Sequence, residues 1–181
     1  MARNIELIYD FIRQSELMPR ERFIDYMGGP VLLYKRWSIS RPINDSTKTT
    51  KLDQPVSQLA DLLEDQKKRL IAEAHDYRVY RLPTDESTWV IGRGSTNELV
   101  FAHRSVSKQH ARLSVGADQS MLVVDLGSKN GTWVENKRAL PDKPVLLWSK
   151  QSLRLGSLSI RYLSSSDFFD LLGSLLTAKA G

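Results

Sequence analysis

The chain has 181 residues, 41% hydrophobic and 26% charged, an ordinary globular balance with room for one real core and a substantial extension. It contains no cysteine, which excludes disulfides, thiolate nucleophiles and cysteine-based zinc sites together. The net charge of +5 is unevenly spread: residues 1–80 carry 13 Lys/Arg against 12 Asp/Glu and residues 81–181 carry 13 against 9, so the excess lies in the second half, where it suits an anionic ligand.

At the N-terminus, Glu6, Asp10 and Arg13 interrupt any apolar run, which argues against a signal peptide or a membrane span and leaves the cytoplasm as the default location. Ile5, Ile8, Tyr9 and Ile12 recur at the spacing of one buried helical face. Pro19 opens a second short helix carrying Phe23, Ile24 and Met27, and Gly28-Gly29-Pro30 stops it. Residues 31–34 are an apolar run too short to assign by periodicity. Residues 1–37 therefore read as a helical segment, and residues 38–54 as a polar linker or surface loop with few groups to bury. Pro55 starts a third helix, 55–75, whose stripe of Val56, Leu59, Leu62, Leu63, Leu70 and Ala74 needs a partner surface. Packing on its own chain is the plainer expectation for that stripe. The longest basic block, Lys67-Lys68-Arg69, falls within this helical pattern, so nucleic acid is not the expected partner.

After Asp76 the texture changes. Residues 77–82 alternate with period two, and strand-like pieces follow at 88–92, 98–101, 110–115, 121–125, 132–135, 145–148, 152–155 and 157–163. Turn chemistry separates them, as at Gly116-Ala117-Asp118, Gly127-Ser128 and Asn130-Gly131. Many short strands with regular turns predict a mainly β fold, a sandwich or barrel, over 76–181. Ser166 is placed to cap a last helix bearing Phe168, Phe169, Leu172, Leu175 and Leu176. His75, His103 and His110 are too scattered for a metal cluster, and nothing in the chain calls for a cofactor.

Four signals stand in order within the β region: Gly92-Arg93, Ser107-Lys108-Gln109-His110, Gly127-Ser128 and Asn130-Gly131-Thr132. Each is weak alone. Their order and spacing over about 77–163, with a strand between each pair, resembles the forkhead-associated (FHA) family. The resemblance implies a β-sandwich of about eleven short strands and phosphothreonine-dependent protein binding, with no catalysis. It implies that Arg93 and Ser107 bind the phosphate directly, that Lys108 assists, and that Lys129 adds charge from a loop position where the family often has a hydroxyl. Asn130 would clamp the ligand backbone, while Gly92, His110, Gly131 and Thr132 support the site. Chemistry agrees. A phosphothreonine presents nearly two negative charges and three acceptor oxygens, and arginine offers a planar fork that grips two of them. Outside this order Arg93 would be a salt-bridged surface residue, Ser107 a turn residue, Lys129 a solvated cation and Asn130 a turn former. His103 replaces an acidic residue more usual in the family, which would make the ligand rim more basic. Selectivity for threonine over serine rests on the resemblance alone.

Ser107, His110 and Asp125 invite a triad reading, but no Gly-x-Ser-x-Gly elbow is present and a serine three residues before a histidine on a turn into a strand is badly placed. The expected role is a phosphothreonine-reading signalling adaptor downstream of a Ser/Thr kinase. The alternative is a phospho-independent scaffold that oligomerises through the N-terminal helices. Thr47, Thr49 and Thr50 in the linker are candidate phosphorylation sites, and Thr50 has Asp53 three residues on, where FHA domains commonly discriminate ligands. A phosphorylated linker could then occupy the chain's own site at high effective concentration.

Overall fold

The computed structural model describes residues 5–35, 76–82 and 87–179. The polar stretch 38–54 with Thr47, Thr49 and Thr50, the predicted helix 55–75, and His75 lie outside the described residues. The chain begins with β1 (Ile5–Leu7), α1 (Ile8–Leu17), α2 (Arg20–Met27), β2 (Val31–Lys35) and β3 (Tyr77–Arg81). It continues through β4 (Thr88–Gly92), β5 (Leu99–Val100), β6 (Ala111–Val115), β7 (Met121–Asp125), β8 (Thr132–Val134) and β9 (Lys137–Arg138). Last come β10 (Val145–Leu147), β11 (Ser152–Leu155), β12 (Leu158–Leu163) and α3 (Ser165–Lys179).

The strands form two sheets, of seven in the order β1-β3-β2-β12-β11-β8-β9 and of five in the order β10-β7-β6-β4-β5. The mainly β sandwich expected from the alternation is thus observed, with one parallel pair, β4 with β5. Period-two alternation builds the core between the sheets: Leu158, Ile160 and Tyr162 of β12 meet Trp89 and Ile91 of β4 and Ala111 and Leu113 of β6. A second core lies on the outer face of the seven-stranded sheet. There Val31, Leu33, Val79 and Leu163 pack under Ile8 and Phe11 of α1, Phe23 and Met27 of α2, and Phe168, Leu172 and Leu175 of α3. Phe168 sits edge-on to Phe11 at a ring separation of 5.4 Å and 6.2 Å from Phe23. Each fully buried phenylalanine contributes about 1.5–3 kcal/mol relative to exposure.

The run 31–34 now has its explanation. Leu32 and Tyr34 enter the inter-sheet core while Val31 and Leu33 enter the helical layer, so β2 is buried on both faces and shows no alternation. The mostly helical reading of the N-terminal segment holds over α1 and α2, and the segment also contributes two strands, β1 and β2. Ile5 does not belong to the helix: residues 5–7 are extended and pair with β3, satisfying the hydrogen bonds along that strand's otherwise open edge. Tyr9 is 48% exposed, and the buried face of α1 is Ile8, Phe11 and Ser15. The stop at Gly28 is as expected, with φ 69° and its N–H donating to the Ile24 carbonyl. At α3 the cap is Ser164 rather than Ser166: the Asp167 N–H donates to Ser164 Oγ at 3.1 Å, because the helix begins at Ser165, directly after β12.

Candidate functional site

Three loops meet at the site: 93–98 after β4, 101–110 after β5, and 126–131 after β7. Backbone hydrogen bonds stitch the first to the second. Arg93 N–H donates to the Ser107 carbonyl at 2.8 Å and Gly94 N–H to the Lys108 carbonyl at 3.0 Å. This approach explains Gly92, where a Cβ would sit 2.2 Å from the Lys108 carbonyl oxygen. Buried Asn97 braces the same junction, its Nδ2 donating to the carbonyls of Gly94 (3.0 Å) and Lys108 (2.5 Å). Arg93 itself is exposed, and among the described residues its guanidinium has no hydrogen bond or ion pair. The backbone is anchored while the cation stands in solvent.

His110 joins the second loop to the third. It is fully buried. Its Nδ1 accepts the Ser107 N–H at 3.0 Å and its Nε2 donates to the Gly131 carbonyl at 3.0 Å. Burial holds its pKa below the ordinary value, outweighing the Gly131 carbonyl and the Asp125 charge, which act the other way, so the ring is the neutral tautomer these two bonds require. Ser107 Oγ accepts the Lys129 N–H at 3.0 Å, which keeps its own proton available to donate outward. Asn130 Nδ2 donates to the Ser105 carbonyl at 2.8 Å, which leaves one N–H and the amide oxygen without a bond among the described residues.

Beneath the third loop lies Asp125, 2% exposed. Its carboxylate accepts from Ser128 N–H (2.9 Å), Ser128 Oγ (2.6 Å) and Thr132 Oγ1 (2.5 Å). Burial alone would raise its pKa, but the bonds from Ser128 and Thr132 prevail and the pKa lies below the usual carboxylate value. Thr132, on β8, is thereby tied to the third loop through Asp125. No triad forms: His110 Nδ1 is bonded to the Ser107 backbone rather than its hydroxyl, and Asp125 is bonded to Ser128 and Thr132. Gly131 has φ 81°, the positive value its turn requires, and a Cβ there would clash with the Trp133 ring and Arg138 Nε.

The predicted ligand residues are therefore brought together, though in two groups. Arg93 and Lys108 line a shallow depression with Gly94, Ser95, Thr96, Gln109 and Leu126. Ser107, Lys129 and Asn130 stand beside it, linked by the bonds above. His103 departs from expectation. It is only 9% exposed, and burial, then the nearby Arg104 charge, lowers its pKa. A buried neutral ring adds no charge to the rim. Instead its Nδ1 accepts the Ser105 N–H at 3.2 Å. Asn97 and Ser105 were not read as site residues from the sequence, since short polar residues in loops carry no period. Asp125 with Ser128 three residues on had a local signal, the turn pattern in which a carboxylate accepts a nearby backbone N–H.

The fold and this arrangement define a recognition module: rigid loops on a sandwich, presenting cations and a hydroxyl. Residues 89–156 match the FHA domain family, a class of phosphothreonine-binding protein-interaction modules, and this part of the sandwich is an FHA domain. Among curated relatives, the chain is 40% identical over 84 residues to the Arabidopsis thaliana protein phosphatase 1 regulatory inhibitor subunit PPP1R8 homolog, covering 46% of this chain and 23% of that one. It is 36% identical over 80 residues to the Mus musculus Smad nuclear-interacting protein 1, covering 42% and 21%. The chain thus spans under a quarter of the length of these two relatives. Among solved structures, the FHA domain of the CT664 protein from Chlamydia trachomatis matches with 21% identity and a TM-score of 0.47 over 74% of this chain and 96% of that one.

Proposed function

We propose that this chain is an adaptor that binds a phosphothreonine-containing protein downstream of a Ser/Thr kinase, with Arg93 and Ser107 on the phosphate, Lys108 and Lys129 adding positive charge, and Asn130 holding the ligand backbone. One observation carries the reading. Arg93 is an exposed cation without a partner among the described residues, and its backbone is pinned by hydrogen bonds to the Ser107–Lys108 loop. A cation held this way loses little freedom on binding, and its charge is not already neutralised.

The test is a titration of a degenerate phosphothreonine peptide library against the wild type and Arg93→Ala, with phosphoserine and unphosphorylated libraries alongside. Removing a charge-assisted fork from the phosphate should cost about 3 kcal/mol, on the order of a hundredfold in Kd. Wild-type binding that requires the phosphate and collapses in Arg93→Ala supports the reading. Equal binding of phosphorylated and plain peptides overturns it in favour of a phospho-independent scaffold.

A further inference from the structure

Beside Asn130 lies a row of side chains that the phosphate site does not use. Strand register places Arg154 of β11 opposite Trp133 of β8, and Trp133 opposite Arg138 of β9. The three therefore stand side by side on one face of the seven-stranded sheet. Both guanidinium groups lie against the indole, Arg154 Cζ at 3.6 Å and Arg138 Cζ at 5.6 Å from the ring centroid. The row abuts the ligand loop. A Cβ on Gly131, the residue after Asn130, would fall 2.8 Å from the Trp133 ring and 3.1 Å from Arg138 Nε. From the Arg154 side, Nη1 donates to the Gly156 carbonyl at 3.0 Å and Gly156 N–H donates to the Gly131 carbonyl at 2.9 Å.

Arg138 is exposed, and among the described residues its guanidinium has no hydrogen bond or ion pair, only the contact with Trp133. The nearest carboxylate along the hairpin, Glu135, is occupied by the Ser152 N–H at 2.6 Å. An aromatic ring thus restrains one arginine fork whose donors are unspent, next to the amide that would hold a ligand's backbone. Such a fork matches a carboxylate.

We propose that Arg138, positioned by Trp133, reads an acidic side chain of the bound phosphopeptide, at a position flanking the phosphothreonine on the Asn130 side. The inference rests on the phosphothreonine reading above and assigns the partner's class, an acidic phosphopeptide. A single open fork is suited to one carboxylate, whereas a nucleic acid would need a run of such cations along the surface.

The test is an array built on a phosphothreonine peptide, in which each flanking position is varied in turn among Glu, Gln and Lys and probed with wild type, Arg138→Gln and Arg138→Glu at physiological salt. A mixed-sequence single-stranded oligonucleotide serves as a second probe. The wild type should prefer Glu over Gln at one flanking position by about tenfold. That ratio should fall to near unity in Arg138→Gln and reverse toward Lys in Arg138→Glu. A Glu preference that survives Arg138→Gln overturns the proposal, as does a uniform loss across the array or an Arg138-dependent oligonucleotide affinity with no peptide preference. If no phosphopeptide binds the wild type, the phosphothreonine reading fails and this inference falls with it. If phosphopeptides bind in an Arg93-dependent way without the Glu ratio, only the inference fails.

Discussion

The outer face of the seven-stranded sheet is treated in two ways. Over β1, β3, β2 and β12 it lies under three helices, and Val31, Leu33, Val79 and Leu163 are buried. Over β11, β8 and β9 no described element covers it, and the same face carries Arg154, Trp133 and Arg138. One backbone architecture thus serves two purposes. The covered end joins the two ends of the chain into a second core, while the open end and its adjoining loops keep cations in water. The covered end is apolar and buried, while the open end carries Arg138, whose guanidinium has no hydrogen bond or ion pair among the described residues. Substitutions in the two regions should separate stability from binding.

The largest effect is expected at the covered end. Phe168 is fully buried between Phe11 and Phe23, so Phe168→Ala should lose about 3–5 kcal/mol of unfolding free energy in denaturant titrations. Phosphopeptide affinity, measured where the variant is still folded, should change little; a loss of affinity without loss of stability would merge the two regions. Arg93→Ala, described above, is the mirror case: its effect is on affinity and its denaturation midpoint should match the wild type.

Asn97 sits at the border between these behaviours. Asn97→Ala strips a donor from the Gly94 and Lys108 carbonyls, and should cost about 1–3 kcal/mol in stability. Because it ties the Arg93 loop to Lys108, phosphopeptide dissociation should also quicken, and an unchanged off-rate would show that Arg93 needs no such brace. Acid should bring a further loss of stability. His110 and His103 have pKa values below 6.5 in the fold, so just below that value the unfolded chain binds more protons than the native one. Their contribution is complete above 6.5 and is lost as pH falls through it. Denaturation midpoints should therefore drop as the pH falls below about 6.5, and less steeply in His110→Gln. Midpoints flat over this range would mean that the rings accept protons without loss of their bonds. The smallest change is expected at Arg20, whose ion pair with Asp170 at 3.2 Å is about half exposed on both sides. Arg20→Ala should cost no more than about 1 kcal/mol, even though it bridges α2 and α3.

Much of the sandwich was legible because its strands are buried on one face only. Residues 88–92, 121–125 and 152–155 were predicted as strands with the bounds observed, since half-burial writes period two directly into the chain. β2 was ambiguous for the opposite reason, both its faces being buried. β9, only Lys137 and Arg138 and both exposed, has no apolar residue to mark it. Arg93, Ser107, Lys108, Lys129 and Asn130 were legible through motif order, and the structure brings their loops together. Asn97, Ser105 and the Arg138–Trp133–Arg154 row were not, because their partners lie on other loops or strands.

By itself the sequence determined the strand alternation, the glycine turns at Gly28 and Gly131, and the order of residues that marks an FHA domain. These depend on neighbours a few residues away, through side-chain period and backbone sterics. Only the tertiary structure decided that residues 5–7 close a sheet edge, that His103 is buried and uncharged, and that one end of a sheet is sheltered by helices while the other presents arginines. Those outcomes depend on which surfaces meet across long sequence separations, where the sum of burial and hydrogen bonding overrides local preference.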